Sequence, residues 1–488
     1  MSAKSIREYD GKCILAHWLN RAPAVNSTVE YKTPSQVPAT KLAAIAFPSP
    51  SDFTTEDKFD EAAYAARVEE ILNNVEKTHS WVKTDKLVAK PDMLIKRRGK
   101  AGLLCLNKDW TTAREWIRER AGKDQKVEHL NGYLTQFLVE PFVPHESNTE
   151  YYICINSVRE GDWILFTHEG GVDVGDVDAK AAKILIPVDL ASFPSRETLI
   201  STLLSKVPAD VHDVLADFIM RLYAVYVDSQ FTYLEINPLV VIPTSSGAEV
   251  HYLDLAAKLD QTAEFESGTK WAIARSNTAL GLGTPSDNDH GPEMEWPGPF
   301  GREKTKEESY IADLDAKTGA SLKLTVLNPK GRVWTLVAGG GASVVYADAI
   351  ASAGYADELA NYGEYSGAPT ETQTYEYAKT VFDLMTRAQP NPAKPLILFI
   401  GGGIANFTNT KKTFDGIIRA LGDYATALKA HGTQIWVRRA GPNYQEALKA
   451  IRACSEALGL EMQVYGPEMH VSGIIPMAFK APAAETQA

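Results

Sequence analysis

The sequence predicts an α/β protein in two parts: a mixed α+β section over residues 1–262 and a doubly wound parallel sheet over 304–488, with loop-rich chain at 263–303 between them. Three observations carry this. Two runs rich in β-branched and aromatic residues, FTYLEINPLVVI and EVHYLDLAAKL, flank the turn-forming TSSG between Phe231 and Asp260 and read as a β-hairpin. The stretches YLTQFLVEPFV, EYYICINSV and DWILFT follow one another closely and predict an antiparallel sheet. Beyond residue 304, RVWTLVAGGGASVVYADAIA, KPLILFIGGGIANFTNTKKTFDGIIRAL and TQIWVRRAGPNYQEALKAI each read as a buried strand, a Gly- or polar-rich turn and a helix. Repetition of that unit builds a parallel sheet with ligand sites at the carboxyl ends of its strands.

Composition narrows the function classes. The 488 residues are 44% hydrophobic and 23% charged, ordinary for a globular chain with an ample core. A net charge of −12 disfavours nucleic acid and anionic membranes as partners. No run of about 18 apolar residues exists to span a membrane. The opening MSAKSIREYDGK has no apolar signal segment, and a cytoplasmic location is expected. Cys13, Cys105, Cys154 and Cys454 lack CxxC or His-linked spacing, so reduced, buried thiols are expected and a zinc site is not.

In chain order, FPSPSDFTTED reads as a loop and FDEAAYAARVEEILNNV as an amphipathic helix. Lys90 and Lys96 lie in or beside short β-prone runs, and Lys96-Arg97-Arg98-Gly99-Lys100-Ala101-Gly102 gathers four cations around two glycines. Such a turn suits a polyphosphate, and equally reads as a solvated basic turn. A helix is expected at 109–122. FLVEPFVP then offers exposed main chain beside Pro141 and Pro144 for a base edge, with Glu150 placed for ribose hydroxyls and the glycines of Glu169-Gly170-Gly171-Val172-Asp173 for phosphates. In the hairpin, Glu235, Asn237 and Asp254 interrupt apolar strands. Oxygen-bearing side chains on facing strands suit Mg²⁺; the alternative is that Asn237 caps a turn before Pro238 and Asp254 pairs with Lys258. Residues 263–303, rich in Gly, Pro, Ser and Asn, read as a linker or surface loop. In the last section GGGAS and GGGIANFT place backbone N–H groups at helix starts, where anions are favoured. Neither fits the dinucleotide fingerprint, so NAD is not expected. Arg439 ends the strand TQIWVRR and can pair with a carboxylate, whereas Arg438 reads as a solvated strand-end charge. Asp315 and Thr318 of LDAKTGA read as a second cation site or as helix capping.

Taken together, AKPDMLIKRRGKAG, FLVEPFVPH, EGGVDVGDVDAK, YLEINPLVV, YLDLAAKLD, LVAGGGASVVYADAI, IGGGIANFTN and VRRAGPNYQEAL resemble the ATP-citrate lyases, relatives of succinyl-CoA synthetase, over nearly the whole chain. The resemblance implies an ATP-grasp fold in the first section, its small lobe at about 18–143, followed by a flavodoxin/Rossmann-like citrate-binding domain. It implies that Lys90, Arg98 and Gly99 contact ATP phosphates, that the backbone at Pro141 and Val143 contacts adenine, and that Glu150 contacts ribose. Asn237 and Asp254 would hold Mg²⁺, Glu235 would face a phosphohistidine, and Gly367, Asn406, Thr408, Tyr424 and Arg439 would form the citrate pocket. One family position differs, since Gly403 stands where a serine is expected.

The implied chemistry passes a phosphoryl group from ATP through a histidine to citrate, then forms citryl-CoA and cleaves it to acetyl-CoA and oxaloacetate. The family carries that histidine in a Gly-His-Ala-Gly-Ala-type loop, and none of the ten histidines here has this context. The chain is therefore expected to be the ATP- and citrate-binding subunit of a split, fungal or prokaryotic type of enzyme. A second subunit would supply the histidine, CoA-binding and lyase parts of a hetero-oligomer. Two other readings remain: a β-type subunit of a succinate- or other carboxylate-CoA ligase, and a non-catalytic subunit that senses ATP or citrate.

Overall fold

The computed structural model describes residues 3–21, 39–55, 58–128, 130–171, 180–188, 193–245, 247–282, 289–302, 304–404 and 408–480. The chain forms two compact units, Met1–Glu303 and Lys304–Ala488.

Among the described residues the first unit holds two large sheets and two short two-stranded ones, Thr54–Thr55 with Lys58–Phe59 and Asp124–Val127 with Leu130–Tyr133. The larger has seven strands, all paired antiparallel, in the order Ala3–Ile6, Leu255–Asp260, Phe231–Thr244, Glu150–Val158, Gly161–Thr167, Ala182–Pro187, with Gly247–Tyr252 beside the far half of Phe231–Thr244. The hairpin is as expected, except that its return run breaks into two strands at Leu253 and Asp254, opposite the cis Asn237-Pro238 bond. Main chain still bridges the break, Asn237 N–H donating to Asp254 O and Leu253 N–H to Pro238 O. Strand alternation sends Leu234 and Ile236 into the core with the helix His212–Asp228, and leaves Tyr233, Glu235 and Asn237 half-buried on the opposite face.

The smaller sheet orders Ala43–Ala46, Gln136–Pro141, Leu87–Pro91 and Cys105–Lys108, with the helices Glu61–Thr78 and Trp110–Arg120 contributing to its core. Asp60 and Asp109 cap those helices at their N-termini, accepting from Ala63 N–H and Thr112 N–H. The three β-prone stretches therefore do not share one sheet. EYYICINSV and DWILFT pair with each other, but Gln136–Pro141 belongs to the smaller sheet, because the chain leaves extended pairing at Phe142 and enters the larger sheet at Glu150.

Residues 263–303 correct a second expectation. Glu264–Ile273 is a helix, and Trp271 is fully buried, edge-on to Trp296 and donating from Nε1 to Ser229 O at 2.8 Å. Arg275 donates to the carbonyls of Trp271, Pro292 and Glu293 and pairs with buried Asp10 at 3.2 Å. Polar composition concealed a few aromatic anchors that fix the segment to the first unit.

The second unit is a six-stranded sheet in the order Ser321–Val326, Asn361–Ser366, Val333–Ala338, Ile397–Gly402, Gln434–Arg438, Met462–Tyr465. The last five are mutually parallel and, numbered along the chain, lie 2-1-3-4-5, the flavodoxin-like order. The edge strand Ser321–Val326 is antiparallel, an addition to the all-parallel sheet expected. The switch point of such a sheet lies at the carboxyl ends of Val333–Ala338 and Ile397–Gly402, where both glycine-rich turns begin.

Trp271→Ala should destabilise the first unit by about 3–5 kcal/mol in denaturant unfolding. A free linker would show no change.

Candidate nucleotide and carboxylate sites

In the first unit the basic turn resolves into one buried cation and three exposed ones: Arg98 is buried, while Lys96, Arg97 and Lys100 face solvent with Gly99. Arg98 joins a closed set of charges. Glu8, in the first turn of the helix Glu8–Trp18, uses Oε1 to accept from Lys90 at 2.6 Å and to pair with Lys12 at 3.0 Å, and uses Oε2 to accept from Arg98 Nη2 at 2.6 Å. Glu140 accepts from Lys12 at 2.6 Å and lies 2.8 Å from Lys90. The same Arg98 Nη2 donates to Asp254 Oδ1 at 2.5 Å, while Nη1 donates to Pro91 O. Lys12 and Lys90 both also donate to Leu253 O. Three cations thus meet three carboxylates, which is the condition for burying them at all. Burial acts to raise the Glu8 carboxyl, but Lys12, Lys90 and Arg98 outweigh it and hold it far below the usual carboxylate range.

Asp92 is a fourth carboxylate with a different task. It accepts from the backbone N–H groups of Glu8 and Tyr9 at 2.8 and 3.1 Å, capping a helix whose own N-cap residue, Arg7, supplies no side-chain bond. Burial, helped by the Glu8 charge, pushes Asp92 up to about 6.

The proposed metal ligands differ from both bland alternatives. Asn237 accepts from Gly171 N–H at 2.7 Å and donates to Gly171 O at 3.4 Å, which ties the EGG turn to the strand instead of capping a turn. Asp254 pairs with Arg98, while Lys258 lies over the Tyr233 ring. The Asp254 side chain is 41% exposed, so it keeps an open side. An amide oxygen and a carboxylate with solvent access fit Mg²⁺, which takes few protein ligands and retains waters and phosphate. Among the described residues no cluster of three or more His, Cys, Asp or Glu offers a site for a more demanding ion. Glu235, on the same strand face, accepts from the hydroxyls of Tyr233 and Tyr152.

Pro141 ends its strand paired with Leu87, and Val143 follows in irregular chain. His145 bridges the two expected nucleoside contacts, 2.7 Å from Val143 O through Nδ1 and 3.2 Å from Glu150 Oε1 through Nε2. Gly171 must lack a side chain here, since with φ +96° a Cβ would stand 2.2 Å from Glu150 Oε2. Val172 and Asp173 lie outside the described residues.

In the second unit, Gly367, Thr408 and Arg439 gather at the carboxyl ends of the parallel strands. Gly367 follows Asn361–Ser366 with φ +71°, and Thr408 Oγ1 accepts from Ala368 N–H at 3.2 Å. Arg439 is 1% exposed and donates from Nη1 to Gly403 O at 3.1 Å, yet among the described residues its Nε has no partner, nor has the buried Tyr365 hydroxyl. Gly401 and Gly402 make the room, because Cβ atoms there would stand 2.3 Å from the Tyr346 ring and 2.7 Å from Arg439 Nη1. Burial draws the Arg439 guanidinium down from its ordinary value, the sign of a cation short of a counter-ion. Gly403 faces open space.

Several expectations fail. Arg438 is buried and donates to Gly402 O and Met469 O, both at 2.9 Å, so it buttresses the strand ends and is not a solvated charge. Tyr424 lies apart from the described pocket residues Gly367, Thr408 and Arg439. It lies in the helix Thr410–Ala430 against Phe382, and that helix starts at the strand ends, so a rise of 1.5 Å per residue carries Tyr424 roughly 20 Å away. Asp315 is spent on Leu322 N–H at 2.7 Å and on Lys323, and Thr318 on Ala320 N–H. Lys323 pairs with that carboxylate, and the place of Asp315 in the last turn of Lys306–Ala316 rules out N-capping of that helix. Asn406 lies outside the described residues.

Comparison with known proteins bears on both units. A family model described as the ATP-citrate synthase ATP-grasp domain matches residues 2–271, and one described as ATP citrate lyase citrate-binding matches 302–481. The chain belongs to the ATP-citrate lyase family. A relative in Schizosaccharomyces pombe, described as probable ATP-citrate synthase subunit 2, is 66% identical over 99% of this chain and 98% of its own length. The human ATP-citrate synthase is 52% identical over 82% of this chain, which spans only 34% of that longer protein. The solved ATP citrate lyase of Methanothrix soehngenii, in complex with citrate and coenzyme A, is 39% identical with a TM-score of 0.77, covering 98% of this chain and all of that one. The chain is thus a subunit-length ATP-citrate lyase family member with an ATP-grasp unit and a citrate-binding unit.

Sequence reading of this ATP-citrate lyase family chain missed Glu8, Lys12, Asp92, Glu140 and His145. A signal was present in EYDGKCIL, where acid and lysine stand four apart on a helix that continues into the apolar Cys13, Ile14 and Leu15.

The Asp92 shift predicts a pH effect. Its folded value lies above the unfolded one, so the stability it contributes is complete below about pH 4 and lost as pH rises through about 6. Unfolding free energies of wild type and Asp92→Asn measured from pH 4 to 7 should show wild type losing up to about 3 kcal/mol relative to the variant. Parallel profiles would contradict the assignment.

Proposed function

We propose that the chain binds Mg·ATP in its first unit and citrate in its second, as one subunit of a heteromeric ATP-citrate lyase that converts citrate, CoA and ATP to acetyl-CoA, oxaloacetate, ADP and phosphate. The observation that carries the citrate half is the buried Arg439, whose Nε, like the Tyr365 hydroxyl beside it, has no partner among the described residues, at the switch point of a flavodoxin-like sheet. An arginine without a counter-ion in a dry site is matched by a carboxylate, which it can bind through two parallel hydrogen bonds. Gly367 and Thr408 border the same strand ends, and Asn406 joins the proposal from the sequence alone.

In the nucleotide half, Lys90 and Arg98 supply positive charge for the phosphates, with Gly99 in the same turn. Main chain at Pro141 and Val143 meets the base, and Glu150, oriented by His145, meets the ribose. Asn237 and Asp254 would hold Mg²⁺, which when bound neutralises charge developing on the transferred phosphoryl group. Glu235, held by Tyr233 and Tyr152, accepts a hydrogen bond from an incoming imidazole N–H and so orients a nucleophilic histidine. We assign that histidine, the CoA site and the lyase step to a second subunit, a reading supported by the name of the fission-yeast relative, which this chain matches end to end. A cytoplasmic location accords with four cysteines that form no disulfide and, among the described residues, no helix long and apolar enough to cross a membrane.

Arg439→Ala should weaken citrate binding by about 2–5 kcal/mol in calorimetric titration, the cost of losing one desolvated charge-assisted pair, with ATP binding unchanged. Unaltered citrate affinity would move the carboxylate site elsewhere.

A further inference from the structure

The proposed phosphate cation Arg98 and the proposed metal ligand Asp254 are bonded to each other, and this has consequences for the order in which ligands enter. One nitrogen, Arg98 Nη2, serves Glu8 Oε2 at 2.6 Å and Asp254 Oδ1 at 2.5 Å. A cation arriving at Asp254 meets a carboxylate whose charge is already shared with that guanidinium, even where it lands on the exposed Oδ2. Arg98 is buried, so leaving Asp254 for no other anion would strand its charge. Glu8 removes that obstacle, because its carboxylate already holds Arg98 on the other side and is itself fixed by Lys12 and Lys90.

From this geometry we infer that Glu8 is a positioning residue of the nucleotide site. It is the alternative partner that lets Arg98 release Asp254 to the metal, so that metal enters with nucleotide phosphate and poorly without it. The phosphate draws Arg98 off Asp254, and Glu8 keeps the freed guanidinium in place. Other charged groups around the pair are Lys12, Lys90, Glu140 and Asp92, and none of them bridges to Asp254 in the way Arg98 does. The inference rests on the metal assignment to Asn237 and Asp254.

The test is calorimetric titration of the full chain with Mn²⁺ alone, without nucleotide, followed by ATP in the presence of Mg²⁺. Arg98→Met should bind Mn²⁺ at least roughly fivefold more tightly than wild type while binding ATP more weakly, an opposition that a merely structural role does not produce. Glu8→Gln should move Mn²⁺ affinity the other way, since Arg98 is left with Asp254 as its one carboxylate, and Glu8→Asp should restore part of the loss. If Glu8→Gln does not fold, Arg98→Met decides alone. Mn²⁺ binding by Arg98→Met that is no tighter than wild type, or too weak to measure, overturns the inference, as does Glu8→Gln binding Mn²⁺ at least as well as wild type. Asp254→Asn in the Arg98→Met background separates the two levels. Loss of Mn²⁺ binding supports the metal assignment, whereas retention sinks that assignment and the inference with it.

Discussion

The first unit depends on a buried set of three cations and three carboxylates drawn from four distant parts of the chain. Glu8 and Lys12 come from the N-terminal helix, Lys90 and Glu140 from adjacent strands of the smaller sheet, Arg98 from the basic turn, and Asp254 from the broken hairpin. Charges of this size cannot be buried singly, and removing one member of such a set costs about 3–5 kcal/mol because its partner is left unpaired. The set therefore fixes the smaller sheet and basic turn against the N-terminal helix and the larger sheet's hairpin. The cations needed for a polyphosphate are held in place before any ligand arrives, and little ordering is left to be done on binding.

The second unit solves the opposite problem with backbone. Parallel strands ending together leave N–H groups and helix starts around one crevice, and glycines at those ends permit large side chains to lie across them. Gly401 and Gly402 give their space to Tyr346 and Arg439, so the pocket wall is built from side chains of neighbouring elements. Arg438 and Arg439, adjacent in sequence, take different roles. One is saturated by carbonyls and supports the strand ends, while the other keeps a donor unused. A surplus donor in a buried site costs stability unless a ligand completes it, and that is how a binding group differs from a structural one.

Much of this was legible in the sequence, for reasons that are local. The hairpin, the two helices behind aspartate caps and the strand-turn-helix units are written in period and punctuation, and the polar side chains that interrupt them are bonded or buried: Asn237 holds Gly171, Asp254 holds Arg98 and Arg439 is buried at the strand ends. What could not be read was pairing at long range. Nothing around Glu8 announces Lys90 or Arg98, some 80 to 90 residues away, and nothing around Arg438 shows that two carbonyls await it. Tyr424 entered the pocket through resemblance alone, and only the helix direction shows that it lies apart. Residues 263–303 were misread because composition averages over a segment, whereas Trp271, Arg275 and Trp296 act singly.

The central claim is that one chain carries an ATP-grasp site and a separate, built carboxylate pocket that prefers citrate. Calorimetric titration of the purified chain with citrate, and separately with succinate, measures this most directly. The account predicts binding of citrate at one site per chain, with succinate at least roughly a hundredfold weaker because it leaves buried donors without partners. Succinate binding as tightly as citrate would contradict it, and would place the chain's chemistry with the simpler dicarboxylates.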